Sequence, residues 1–295
     1  MSITTYLPRL THVILWDLPS CNVLPPLGQL PNLEWLKIDG MGSIRMIDGV
    51  FYGGRGAFPR LAYFTLSNMD CLEEWNTPYP SVVDGSNVLA FPKLFELSIN
   101  HCPLLRFIAF SPPGRHVIIC SSDQALLSPW DNKGHVGASS SAANKWLSVA
   151  SCEAPLHQWS LLRHLPGLQL LEISSCSDLT CGSTDLLQCI SSLDTLIVED
   201  CNGTVALPEM LGDLTCLRLL KIIGCPGLSQ WCTSKENRMK LAHILEIELD
   251  GNRIEIRRPY RRYVTGREQK LKNKGAPTRT MKDLEDTTSR DGVGI

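Results

Sequence analysis

Leu10-Thr11-His12-Val13-Ile14-Leu15 opens a pattern of leucine, two variable residues, an apolar residue, one variable residue and a second apolar residue. It returns as Leu33–Ile38, Leu61–Leu66, Leu94–Ile99, Leu168–Ile173, Leu193–Val198 and Leu217–Ile222. Successive copies start 23 to 33 residues apart, except across one gap of 74. Two weaker units fall in that gap: the run His116-Val117-Ile118-Ile119-Cys120, and Leu147-Ser148-Val149 with Cys152 behind it. A closing unit lies near Ile244, Ile247 and Leu249.

Side chains alternate between the two faces of a strand, so the apolar positions of each unit turn inward and the variable ones face solvent. One buried leucine contributes on the order of 1.5–3 kcal/mol, but a single unit has nothing to bury it against, so neighbours must stack. The period predicts a leucine-rich repeat array of the α/β class. The expected architecture is a solenoid, or horseshoe, with a parallel sheet on the concave face and irregular loops or short helices on the convex face. Residues 1–252 are expected to form this domain in about ten irregular repeats, with loop insertions near 77–89 and 111–144.

Charge divides the chain. Residues 253–295 carry twelve Lys or Arg against six Asp or Glu, so the net charge of -2 leaves -8 on the rest. That basic stretch, with Arg257-Arg258-Pro259-Tyr260-Arg261-Arg262-Tyr263 and Lys270-Leu271-Lys272-Asn273-Lys274, lacks apolar periodicity and is expected to be a disordered tail. Contact with nucleic acid or anionic lipid is a secondary reading of the tail, since no RNA-binding fold accompanies its tyrosines. No run approaches the roughly 18 apolar residues of a membrane span, and the first residues show no signal-peptide pattern. A cytoplasmic location is the expectation.

Twelve cysteines raise the question of disulfides or zinc. Cys102, Cys152, Cys176, Cys201 and Cys225 share one phase of the repeat, and Leu18, Met41 and Met69 hold the same phase in early units. Small buried side chains explain that phase, whereas no C-x-x-C pair supports zinc. No metal or other cofactor is expected. The histidines lack H-E-x-x-H spacing, and G-x-S-x-G is absent. The chain therefore reads as a non-enzyme.

Function is expected on the outward positions of the sheet. In the early units these include His12, Ile14 and Trp16, then Trp35, Lys37 and Asp39, then Tyr63, Thr65 and Ser67, then Glu96, Ser98 and Asn100. Trp16, Trp35 and Tyr63 sit on consecutive units and are expected to form an aromatic contact patch. Glu172, Glu199 and Asp200, with Lys221 next in line, give the far end an acidic character. Among these the candidate partner-binding set is Trp16, Trp35, Lys37, Asp39, Tyr63, Glu96, Asn100, Glu172, Glu199 and Lys221.

Between the units, Leu24-Pro25-Pro26-Leu27-Gly28-Gln29-Leu30-Pro31-Asn32-Leu33 resembles a linker of plant nucleotide-binding leucine-rich repeat immune receptors of the coiled-coil class. Phe51-Tyr52-Gly53, Ala57-Phe58-Pro59-Arg60-Leu61, Met69 and Glu73-Glu74-Trp75 resemble a further block of that family, and Phe91–Leu94 with Asn100-His101-Cys102-Pro103 another. The likeness covers about residues 7–250 of the sequence. It implies the repeat region of a disease resistance protein, with a pathogen effector, a guarded host protein or the receptor's own nucleotide-binding switch domain as partner. No P-loop sequence occurs, so the ATPase of that family is not in this chain. A piece or short derivative of such a receptor is the first expectation. A stand-alone scaffold, adaptor or decoy is the alternative.

Overall fold

The computed structural model describes residues 7–77, 81–83, 86–88, 90–108, 114–127, 145–165, 167–179, 190–207, 211–212 and 214–254. The chain divides into two units, Met1–Arg257 and Arg258–Ile295, and every described residue belongs to the first. The expected tail lies outside the described residues from 255 onward.

The strands are β1 (His12–Trp16), β2 (Trp35–Asp39), β3 (Met46–Ile47), β4 (Tyr63–Ser67), β5 (Glu74–Trp75), β6 (Ser81–Val83), β7 (Ser86–Val88) and β8 (Glu96–Asn100). They continue with β9 (Arg106–Phe107), β10 (His116–Cys120), β11 (Trp146–Ala150), β12 (Leu170–Ser174), β13 (Thr195–Glu199), β14 (Leu219–Ile223), β15 (Glu246–Leu249) and β16 (Asn252–Ile254). The main sheet has eleven strands in the order β1-β2-β4-β8-β10-β11-β12-β13-β14-β15-β16. All its pairs are parallel except β15 with β16. Few helices accompany it: α1 (Gly49–Tyr52), α2 (Asp123–Leu127), α3 (Pro226–Thr233) and α4 (Lys235–Lys240), with 3₁₀ turns at Leu27–Gln29, Leu156–Gln158 and Ser160–His164. The result is a mixed α/β fold dominated by one long, mostly parallel sheet, compatible with a solenoid.

Register follows the apolar pattern. Val13, Leu36, Phe64, Leu97, Val117, Leu147, Leu171, Leu196, Leu220 and Ile247 stand opposite one another along the sheet. From Leu36 onward these residues are buried, while Val13 and Leu15 on the outermost strand remain half-exposed. In the weak unit around Ile118 it is Val117 and Ile119 that turn inward, and Ile118 shares the open face.

Each strand of the main sheet before β15 ends in the same way. Asp17, Gly40, Asn68, His101, Ser121, Ser151, Ser175, Asp200 and Gly224 follow the last strand residue and adopt φ between 47 and 66°. Only glycine and a few small or polar residues enter this left-handed region at low cost. The turn keeps the ladder going: Asp17 N–H donates to the Asp39 carbonyl at 3.0 Å, and Ser175 N–H to the Glu199 carbonyl at 2.9 Å. The next residue points back into the core as Met41, Met69, Cys102, Cys152, Cys176, Cys201 or Cys225, all buried, whereas Leu18, expected in the same phase, is 43% exposed because it follows the outermost strand. The thiols of Cys102, Cys152, Cys176, Cys201 and Cys225 donate to the carbonyl two residues earlier at 3.2–3.4 Å. Ser122, in the same phase, does so with its hydroxyl.

Opposite the main sheet, β3, β5 and β9 form a small parallel sheet. It closes the early part of the core through Ile47, Trp75 and Phe107. Here the blocks quoted for the family resemblance meet. Phe51, Tyr52, Phe58, Phe64, Trp75 and Phe91 form one buried cluster in which Phe58 and Phe91 stack at 4.7 Å. Asp48 caps α1 by accepting from Val50 N–H, and Gly53, at φ 66°, ends it.

The two stretches expected as loop insertions contain regular structure. Residues 77–89 include the antiparallel hairpin β6–β7. Residues 111–144 include β10, a full member of the main sheet, and α2 after it. At the other end Asp250-Gly251, both at positive φ, reverse the chain so that β16 pairs back on β15.

Candidate functional site: the open face of the main sheet

The first, third and fifth residues of each strand point away from the core and line up in three rows. The first row runs His12, Trp35, Tyr63, Glu96, His116, Trp146, Leu170, Thr195, Leu219 and Glu246. Trp35 stands opposite Tyr63, and the His12 ring lies 6.1 Å from Trp35. Trp16 belongs to the fifth row, opposite Asp39, and is 70% exposed. It therefore stands about 13 Å from the Trp35 row at strand spacing. Of the three aromatics expected as one patch, Trp35 and Tyr63 are neighbours in one row and Trp16 stands in another.

Lys37 and Asp39 form an ion pair at 2.8 Å, and Asn68 Nδ2 donates to Asp39 at 2.8 Å. The Lys37 ammonium first, and the Asn68 amide next, hold the Asp39 carboxyl below the usual carboxylate range. Asn100 donates to Ser98 Oγ at 3.0 Å. Lys221 lies 3.5 Å from Glu248, while Glu199 stands half-exposed at the end of β13.

Glu96 and Glu172 join a network that contains two residues absent from the sequence-based set. Ser148 Oγ donates to Glu172 Oε2 at 2.8 Å, and His116 Nε2 lies 3.0 Å from Ser148 Oγ. On its other side His116 Nδ1 is 3.7 Å from Glu96 Oε2. The chain Glu96, His116, Ser148, Glu172 thus crosses β8, β10, β11 and β12. Its order mimics a nucleophile, base and orienting carboxylate. The serine proton, however, is committed to Glu172, and β11 lies between two paired neighbours, so its backbone N–H groups are spent on the ladder rather than on an oxyanion. The arrangement suits polar recognition. Reading the units as columns would have set Glu96 beside His116 and Ser148 beside Glu172, while the His116–Ser148 contact that joins them runs from the first position of β10 to the third of β11.

An open groove of about 500 Å³ lies where β1, β2 and β4 begin, lined by His12, Glu34, Trp35, Arg60, Tyr63 and Lys93 among others. A second, of about 730 Å³, follows where β11 to β15 begin and includes Trp146, Asp194, Arg218 and His243. Among the described residues no group of three or more His, Cys, Asp or Glu is placed to hold a metal ion. None of the described helices is long and apolar enough to cross a membrane.

No family model matches the chain. A segment covering 33% of it is 36% identical, over 102 residues, to a protein of Arabidopsis thaliana provisionally named a disease resistance protein. The match spans 7% of that protein's length. The chain is thus similar to a plant resistance protein over a third of its own length.

Proposed function

We propose that this chain is a non-catalytic recognition module of a plant disease resistance receptor, a leucine-rich repeat horseshoe that offers the open face of its long sheet to a protein partner. The similarity to the Arabidopsis protein carries the defence reading. The outward rows supply the surface: rings at Trp35 and Tyr63, the braced Lys37–Asp39 pair, and the polar network from Glu96 to Glu172. A pathogen effector, a guarded host protein or the receptor's own switch domain would bind there, in the cytoplasm. Binding would act by favouring one of two receptor states, which requires a difference in affinity between them.

The test is to map the 5′ end of the native transcript and read the coding sequence upstream of Met1. An in-frame P-loop domain is the expected result. A transcript starting at Met1 would overturn the receptor reading and leave a free scaffold or decoy. With the upstream domain expressed separately, Trp35→Glu should abolish its capture by the full chain without moving the thermal melt. Retained capture would remove the open face from the argument.

A further inference from the structure

Four consecutive strands of the main sheet, β4, β8, β10 and β11, each bring one cation and one ring to the rim where the strands begin. The cations are Arg60, Lys93, Arg115 and Lys145. The rings are Tyr63, Phe95, His116 and Trp146. Tyr63 and Phe95 are 6.0 Å apart, Phe95 and Trp146 6.4 Å, and His116 and Trp146 5.8 Å, so the rings run as a connected row. Elsewhere on the face the cations are neutralised: Lys37 by Asp39, Arg218 by Asp194, Lys221 by Glu248 and Arg253 by Glu246. Along this rim Arg60 reaches only the neutral Asn32 amide, and Lys93, Arg115 and Lys145 have no ion-pair partner among the described residues.

We propose that this rim takes an acidic, aromatic-bearing segment of a partner protein, laid across the strands. The proposal rests on the reading that the open face binds protein. Unspent positive charge beside rings that are exposed at Tyr63 and Trp146 and half-buried at Phe95 and His116 calls for carboxylates interspersed with apolar side chains, because charge complementarity steers and orients association while the rings supply contact area. Strands lie about 4.8 Å apart, so the four cations span about 15 Å, the reach of about five extended residues. A nucleic-acid strand fits less well. Glu34 lines the groove at this rim and Glu96 sits in the ring row, and a continuous line of phosphates could not avoid them, whereas a peptide can place its carboxylates between.

The experiment is fluorescence anisotropy on the full chain with three labelled probes: a peptide of Asp and Glu around a central Trp, its Asn and Gln counterpart, and an oligo-dT of matched length. The acidic peptide should bind, and weaken as salt is raised, while the neutral one should not. Arg115→Glu combined with Lys145→Glu, and separately Lys93→Glu, should weaken binding about tenfold or more. Arg45→Glu, at a cation already paired with Glu73 and outside the candidate binding set, should change it by less than about twofold. Circular dichroism melts confirm that each variant folds. Equal binding of the neutral peptide, indifference to the reversals, or tighter binding of oligo-dT would overturn the proposal. If the peptides fail while Trp35→Glu still costs capture of the upstream domain, the acidic-segment assignment falls and the open-face reading stands.

Discussion

The thiols show how a single residue serves the repeat. Burial pushes Cys102 and Cys152 up to about 12 and Cys176 up to about 11, from an ordinary value of 9.0, because a thiolate inside the core would lose its solvation. Cys232 on α3 is also pushed up to about 12 by burial. Alkylation of the native chain at pH 8 should therefore label the exposed Cys216 and spare these four until denaturant is added. Prompt labelling of all of them in native buffer would contradict their burial. The same shifts bear on stability. A thiol whose pKa is raised by folding costs nothing while it is protonated in both states, so its contribution holds below pH 9 and is lost as pH climbs toward 12. Chemical denaturation at pH 7.5 and 10.5 should give a lower midpoint at the higher pH, and the difference should shrink when Cys152 and Cys176 are replaced by Ala. A second residue-scale test lies in the aromatic core, where Trp75 Nε1 donates to Tyr52 Oη at 2.7 Å. Tyr52→Phe leaves that buried indole N–H unsatisfied and should destabilise by about 1–3 kcal/mol. An unchanged urea midpoint would mean that water replaces the hydroxyl.

At the scale of elements, the strands were legible because each buries two apolar residues in a fixed hexad. β10 lacks the opening leucine, since Gly114 holds that place, and only its run of Val117, Ile118 and Ile119 betrays it. The two-residue strands β3, β5 and β9 are too short to carry any period, and α1 and α2 are single turns set by packing rather than propensity. Trp35 and Tyr63 could be placed together because they share a phase. The partnership of Glu96, His116, Ser148 and Glu172 was hidden by connections of unequal length and by a diagonal step: Glu96 and His116 are column neighbours 20 residues apart and Ser148 and Glu172 are 24 apart, but His116 and Ser148, 32 apart, lie in different rows. The connection between β2 and its predecessor hid its own constraint at Gly28. The 3₁₀ turn that contains it presses on the end of α1, with Gln29 Nε2 donating to the Gly53 carbonyl at 2.7 Å and Phe58 N–H to the Gly28 carbonyl at 2.8 Å. A Cβ on Gly28 would overlap the Tyr52 carbonyl oxygen and sit 2.8 Å from Ala57 Cβ. Gly28→Ala should cost about 1–3 kcal/mol or more. Gly42→Ala, where a Cβ meets nothing within 4 Å, serves as the matched control and should stay within about 0.5 kcal/mol of the parent. Equal urea midpoints for the two variants would show that the turn can move away from α1.

Across the molecule the two edges of the main sheet are finished differently. At one, β16 folds back as a short antiparallel strand that carries Arg253, bridged to Glu246. A charged, short edge resists pairing with other chains. At the other, β1 has no paired strand on its outer side among the described residues, and its sequence HVILW contains no proline and no lysine. Ile14 is 60% exposed there, Leu18 nearby is exposed as well, and Val13 and Leu15, whose equivalents on other strands are buried, stay half-open. An uncharged edge of high strand propensity beside unburied core-face side chains is a template for self-association. The full chain should accordingly show a weight-average mass that rises with concentration in sedimentation or light scattering. Ile14→Lys places a charge at the centre of that edge on the solvent face, so it should suppress the rise while moving stability by no more than about 0.5 kcal/mol. Val205→Lys alters an equally exposed apolar residue away from β1 and should leave the association as it was. If both variants associate as the parent does, the contact lies elsewhere. If the parent stays monomeric at every concentration, the β1 edge is protected without a partner strand.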